Sequence, residues 1–190
     1  MKTVVTAYYG IILDDTVHLL NEFEQGTTKS KDLWTNMINS LHKSFAHDLD
    51  QDAYWSSPTR FDKIVNPLLS QLTLPFKSSV IIPAIVQLAS KARSEENFKL
   101  INERLMEYMK SESSTIRLTA INTQRELYSE LSNDWLKMLP PTVPVISETM
   151  EDEDDNVIEA THVLIATIEK VGGISMQKLL TWYPEYVELE

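Results

Sequence analysis

Two stretches set 41 residues apart constrain this chain more than any others. Ser113-Ser114-Thr115-Ile116-Arg117-Leu118-Thr119-Ala120 and Asp154-Asp155-Asn156-Val157-Ile158-Glu159-Ala160 each place polar capping residues before an aliphatic that opens an amphipathic run. Between them, Leu139-Pro140-Pro141-Thr142-Val143-Pro144-Val145-Ile146 reads as a proline-started helix of its own. A helix pair recurring at roughly 40 residues is the unit of a helical solenoid. One pair cannot bury its own apolar face, so pairs stack and leave an extended surface for partners. A chain of this kind is expected to hold something, not to convert it.

Repeats of this period are of the HEAT type, and 190 residues accommodate roughly four to five such pairs. The expected fold class is therefore all-α, an α-α superhelix of stacked HEAT-type helix pairs. Only 4 glycines are present, too few for a β-sandwich or a glycine-rich nucleotide fold. The absence of cysteine excludes a disulfide framework, thiolate zinc sites and cysteine nucleophiles. The start, Met1-Lys2-Thr3-Val4-Val5-Thr6-Ala7-Tyr8-Tyr9, is apolar, but Asp14 and Asp15 follow and no small-residue cleavage site stands out. No apolar stretch approaches the ~20 residues needed to span a bilayer, so no membrane partner is expected.

Helical signals run almost throughout. Residues about 3–25 are apolar on more than one face, and Gln25-Gly26-Thr27-Thr28 breaks them. From Ser30 to about Asp48, Leu33, Trp34, Met37, Ile38, Leu41 and Phe45 form a helical stripe. Ser56-Ser57-Pro58 starts the next helix, and Pro67 inside it predicts a kink or break near Asn66. The apolar run Val80–Val86 could pass for a buried strand, but Pro83 in its middle argues for helix over Ser79–Lys91. Further helices are expected over about 94–110, 114–132 and 155–171, the last ending at Gly172-Gly173. Pro140, Pro141 and Pro144 confine the start of the intervening helix to around Thr142. Joints rather than linkers separate the helices, so residues 1–190 are expected to form one continuous domain.

The net charge of −11 is uneven, with 11 acidic against 2 basic side chains in residues 138–190. A surface of that sign repels phosphates and disfavours direct RNA contact there. Lys91, Arg93, Lys99, Arg104 and Lys110 are the densest basic group, with helical spacing suited to a solvated face or to an RNA backbone. Glu151, Asp152, Glu153, Asp154 and Asp155 form the acidic run. They lack the alternating ligands and glycine of a calcium loop. They suit either a solvated loop that favours the next helix N-terminus or a docking patch for basic segments. Trp55 stands in a polar loop, where it either packs or anchors a partner. The aromatic tail Trp182-Tyr183-Pro184-Glu185-Tyr186 offers the same two options. His18, His42, His47 and His162 are scattered and form no zinc pattern, and no Gly-x-Ser-x-Gly elbow occurs. Catalytic, cofactor-binding and metal-binding residues are therefore all expected to be none, with no small-molecule substrate.

The run from Leu139-Pro140-Pro141-Thr142-Val143-Pro144 through Ser147-Glu148-Thr149-Met150-Glu151-Asp152-Glu153-Asp154-Asp155 resembles the extreme C-terminus of the large HEAT-repeat scaffold family of the small-subunit processome. The resemblance extends backward through Ile116-Arg117-Leu118-Thr119-Ala120, Ile82-Pro83-Ala84-Ile85-Val86-Gln87-Leu88, Asn66-Pro67-Leu68-Leu69 and Leu41-His42-Lys43-Ser44-Phe45. Forward, it reaches Gly172 and Lys178-Leu179-Leu180, so it covers about residues 30–180; the first 30 residues carry no matching motif. Gly172-Gly173-Ile174 departs from the family's glycine-glutamate-proline turn. The resemblance implies a non-enzymatic, nucleolar scaffold in 18S ribosomal RNA maturation, coupled to ribosomal DNA transcription. This chain would be the C-terminal end of a much longer protein. Its implied partners are other processome proteins and the pre-ribosomal ribonucleoprotein. It also implies that Arg117 is a structural staple between repeats. A generic HEAT adaptor in transport or phosphatase assembly fits the same helix pattern.

Overall fold

The computed structural model describes residues 3–48, 54–76, 78–173 and 175–180, and every regular element among them is helical. In order they are α1 (Thr3–Glu24), α2 (Lys31–Ala46), α3 (Pro58–Ser70), a 3-10 turn (Gln71–Thr73), α4 (Ser78–Lys91), α5 (Glu95–Met109), α6 (Ser114–Leu131), the single turn α7 (Asn133–Leu136), α8 (Leu139–Met150), α9 (Asp155–Gly172) and α10 (Met176–Leu180). The tail from Trp182 lies outside the described residues. The helix ends follow from local chemistry. Ser30 Oγ accepts from Leu33 N at 3.3 Å to cap α2, and Asp154 Oδ1 accepts from Asn156 N at 3.0 Å to cap α9. Gly173 closes α9 with φ 69°, a left-handed conformation that glycine adopts without strain.

Two proline expectations need correction. α3 runs unbroken through Pro67. The carbonyl that Pro67 leaves without an amide is that of Lys63, an exposed residue, so water can satisfy it. The Pro67 carbonyl itself accepts from Ser70 Oγ and Gln71 Nε2, both at 2.9 Å, and the helix tightens into the 3-10 turn. α8 begins at Leu139, not Thr142, because Pro140 and Pro141 occupy the first turn, where amides have no intrahelical acceptor. Pro83 and Pro144 lie inside α4 and α8, each in the second turn.

The chain divides into two compact units, residues 1–97 and 98–190. In the first, α1 and α2 form an antiparallel hairpin, tied where Tyr9 Oη donates to Ser40 Oγ at 3.0 Å. α3 stacks on α1 and α4 on α2, so equivalent helices of successive pairs make two layers. Leu20, Trp34, Phe45, Phe61, Ile64 and Leu68 are fully buried between the layers. Each contributes about 1.5–3 kcal/mol through burial. Gln71 sits among them, accepting from Trp34 Nε1 at 3.1 Å and donating to the Leu20 carbonyl at 3.1 Å.

The second unit repeats the layering. α9 packs on α6, while α8 is linked to α5 by Asn102–Thr142 at 3.0 Å and Lys110–Glu148 at 2.9 Å. These two links keep the same order along both chains, so α5 and α8 run parallel. α6 and α9 also run parallel, because Arg117 and Ser114 at the start of one bond Asp152 and Asp154 at the start of the other. A second buried polar group closes this unit. Gln124 Nε2 donates to Asn102 Oδ1 at 2.6 Å, and Gln124 Oε1 accepts from Trp135 Nε1 at 2.9 Å. Thr142 Oγ1 accepts from Asn102 Nδ2 at 3.0 Å and donates to the Met138 carbonyl at 2.6 Å.

Candidate functional site

The acidic run occupies the turn between α8 and α9, facing the first turn of α6. Arg117 is carried there by α6, whose first turn is held by Arg117 N donating to the Ser113 carbonyl at 3.0 Å. Its guanidinium grips Asp152 in a two-pronged pair, Nε to Oδ2 and Nη2 to Oδ1, each at 2.7 Å. Nη1 donates to the carbonyls of Ser111 at 2.8 Å and Glu112 at 3.0 Å, which end the α5–α6 connection. The two side chains are 10% and 8% exposed. One residue thus ties the α5–α6 connection to the α8–α9 connection.

The electrostatics follow from that geometry. The hydrogen bonds from Arg117 hold the Asp152 carboxyl below the usual aspartate range, and Asp152 in turn raises the Arg117 pKa. Asp152 Oδ1 also accepts from Asp154 N at 2.9 Å, which shapes the turn. The Asp154 carboxyl is lowered by the Ser114 hydroxyl first and by Asn156 second, as its role in capping α9 requires.

The five acids therefore divide by role. Asp152 and Asp154 are committed to structure, whereas Glu151, Glu153 and Asp155 are exposed. Glu153 lies 3.7 Å from Arg117 with its side chain 87% exposed. Beside them opens a shallow groove of about 380 Å³ whose charges come in pairs, Lys110 with Glu148 and Arg117 with Asp152. Glu153 adds a third carboxylate to these two pairs, so the lining carries an acidic excess. In the basic group, Arg104 pairs with Glu107 at 2.6 Å and Lys110 with Glu148, as a solvated face does. Among the described residues, no three His, Cys, Asp or Glu are grouped to hold a metal, and no helix is long and apolar enough to cross a membrane.

Trp55 is not a partner anchor in this structure, because none of its surface is exposed. Its ring lies edge-on to Phe45 at 4.8 Å and Tyr9 at 5.5 Å, and Nε1 donates to Ser44 Oγ at 2.9 Å. The buried Asp48 carboxylate accepts from Trp55 N at 2.8 Å and Tyr54 N at 3.2 Å, which fixes the backbone at Tyr54 and Trp55. Asp48, Gln71, Asn102 and Gln124 are key residues that the sequence reading passed over. A signal existed for two of them: Asn102 and Gln124 interrupt otherwise apolar stripes, Phe98-Ile101-Leu105 and Ala120-Ile121-Leu127.

Residues 1–55 match the BP28CT (NUC211) domain, largely where the sequence blocks showed no resemblance. Over 95% of its length the chain is 35% identical to U3 small nucleolar RNA-associated protein 10 of Aspergillus oryzae and 38% identical to that of Schizosaccharomyces pombe. The Coccidioides immitis protein of the same name is 32% identical over the same share. The chain spans 11% of the length of these relatives.

Proposed function

We propose that this chain belongs to the U3 small nucleolar RNA-associated protein 10 family and is a non-enzymatic scaffold module for ribosome biogenesis. In this reading it forms the C-terminal part of a small-subunit processome protein, acts in the nucleolus in 18S pre-rRNA processing, and is linked to rDNA transcription. The observation that carries the reading is identity of 35% and 38% sustained over 95% of the chain. The two-layer stacking of parallel equivalent helices supports it, since such an array offers surface rather than a reaction centre.

Its partners are other processome proteins and, through them, the pre-ribosomal ribonucleoprotein. The contact surface we assign is the exposed part of the acidic turn, Glu151, Glu153 and Asp155, which suits a basic protein segment and repels RNA phosphates. Asp152 and Asp154 take no part, being engaged in the fold.

The test is co-purification of U3 small nucleolar ribonucleoprotein with the full-length tagged protein carrying Glu151→Gln, Glu153→Gln and Asp155→Asn. Recovery should fall, and the wild-type association should weaken between 50 and 300 mM salt (an interval spanning about a twofold change in screening length). The far-UV circular dichroism should not change. Full recovery of the triple variant would return the turn to solvated loop, and absence of U3 particles from the wild-type pull-down would refute the scaffold reading itself.

A further inference from the structure

Arg104, Arg117 and Arg125 each hold a carboxylate within 2.8 Å. Arg60, half-buried in the first turn of α3, holds none among the described residues. It is nevertheless fixed in place. Its guanidinium carbon lies 3.9 Å from the centre of the Tyr54 ring, and Nη1 donates to the Tyr54 carbonyl at 3.3 Å. That platform is itself anchored, because Tyr54 N donates to the buried Asp48 carboxylate and the Tyr54 ring meets Trp55 edge-on at 5.0 Å. The Nε–Nη2 edge, the one with which Arg117 grips Asp152, is left to a ligand. A guanidinium oriented in advance loses little freedom on binding.

Arg60 lines a cleft of about 230 Å³ between α1 and α3. Lys63 of α3 and Asp14 of α1 bridge its two walls at 2.7 Å. On the α1 wall, Gly10 leaves open backbone, with nothing within 4 Å of where a Cβ would stand. Arg60 and Lys63 against Asp14 leave the lining a net charge of +1, in a protein whose net charge is −11. A single carboxylate balances that charge. A phosphate brings close to two negative charges and meets repulsion from Asp14, so a carboxylate is the better match.

We infer that this cleft is a docking pocket for an acidic side chain, a Glu or Asp of a partner protein, gripped by the Arg60 guanidinium. The inference stands apart from the acidic turn, which takes a partner of the opposite charge, and it needs only the packing of α1 on α3.

A compact diazirine amino acid at the exposed Thr59, on the cleft lining of the full-length protein, tests it in cells. The expected product is a crosslink to another protein, mapped by mass spectrometry to within a few residues of a Glu or Asp. Arg60→Gln should cut its yield roughly tenfold, the effect of losing a charged hydrogen bond. Asp14→Asn acts in the opposite direction. It removes the opposing carboxylate from an exposed pair that the fold hardly needs, and should raise the yield about twofold. Arg60→Glu, combined with the mapped acid changed to Arg, should restore the crosslink, which a merely distorted cleft would not. Unchanged yield in Arg60→Gln, no rise in Asp14→Asn, or failure of the reversed pair overturns the inference. So does a crosslink to RNA, to a second copy or to the same polypeptide, or no crosslink at all.

Discussion

Replacing Arg117 removes four hydrogen bonds at once and strands the carboxylate beneath it. The guanidinium makes two bonds to Asp152 and one each to the carbonyls of Ser111 and Glu112. Breaking a fully buried ion pair costs about 3–5 kcal/mol. The pair here is 8–10% exposed and borders the solvated Glu153, so the lower end, about 3 kcal/mol, is the expected loss for Arg117→Met. Asp152→Asn keeps the bond from Asp154 N and should lose about 1–2 kcal/mol. In the double variant the stranded charge is gone, so the coupling should be about 1.5 kcal/mol. Guanidinium unfolding followed by far-UV circular dichroism at pH 7 measures all three, with an unchanged slope showing that the native surface is intact. The pH dependence gives an independent check. Asp152 has a lowered pKa in the folded state, so its stabilisation is complete above the unfolded value, about 3.9, and is lost as pH falls through the depressed one. The wild type should therefore lose stability below about pH 4 more steeply than Asp152→Asn does. A loss under about 1 kcal/mol for Arg117→Met, or coupling within about 0.5 kcal/mol of zero, would refute the staple.

Three further substitutions test the packing and the backbone. Ile121→Ala and Leu164→Ala, each at a fully buried position, should cost about 2–5 kcal/mol apiece in chemical denaturation, and a change below about 1 kcal/mol would show that the buried face of α6 or α9 is misassigned. Ser132, exposed between α6 and α7, has φ 49° and ψ −122°, so Ser132→Gly should raise stability by about 1 kcal/mol, and a loss would show that its hydroxyl matters more than the strain.

The helices were legible because their signals are local. The stripe Trp34, Ile38, Leu41, Phe45 and the cap before α9 need only residues within a few positions to be recognised, and both appear as expected. The break expected at Pro67 did not occur because a proline's cost depends on where the freed carbonyl lies, and the exposure of Lys63 is a tertiary fact. Trp55 was left open between packing and partner contact for the same kind of reason. Its setting of Asp, Ser and Tyr looks solvated, but its pocket is built by Tyr9 and Phe45 from two other helices and by the Asp48 carboxylate. The acidic run reads as uniform in sequence. Only Arg117, 35 residues away, separates Asp152 from its neighbours.

The polar group at the centre of the second unit has a consequence for how this molecule can change over time. Apolar neighbours tolerate exchange, since Leu for Met or Ile for Leu costs under about 1.5 kcal/mol when volume is kept. Asn102, Gln124, Trp135 and Thr142 have no such latitude. Each satisfies another, so a substitution at one leaves a buried amide or indole without its partner, at about 1–3 kcal/mol. Sliding α5 by a single residue along α8 would do the same to several of them together. The four positions therefore form one inheritable character: lineages should keep the set or replace it whole, while the aliphatics around it drift.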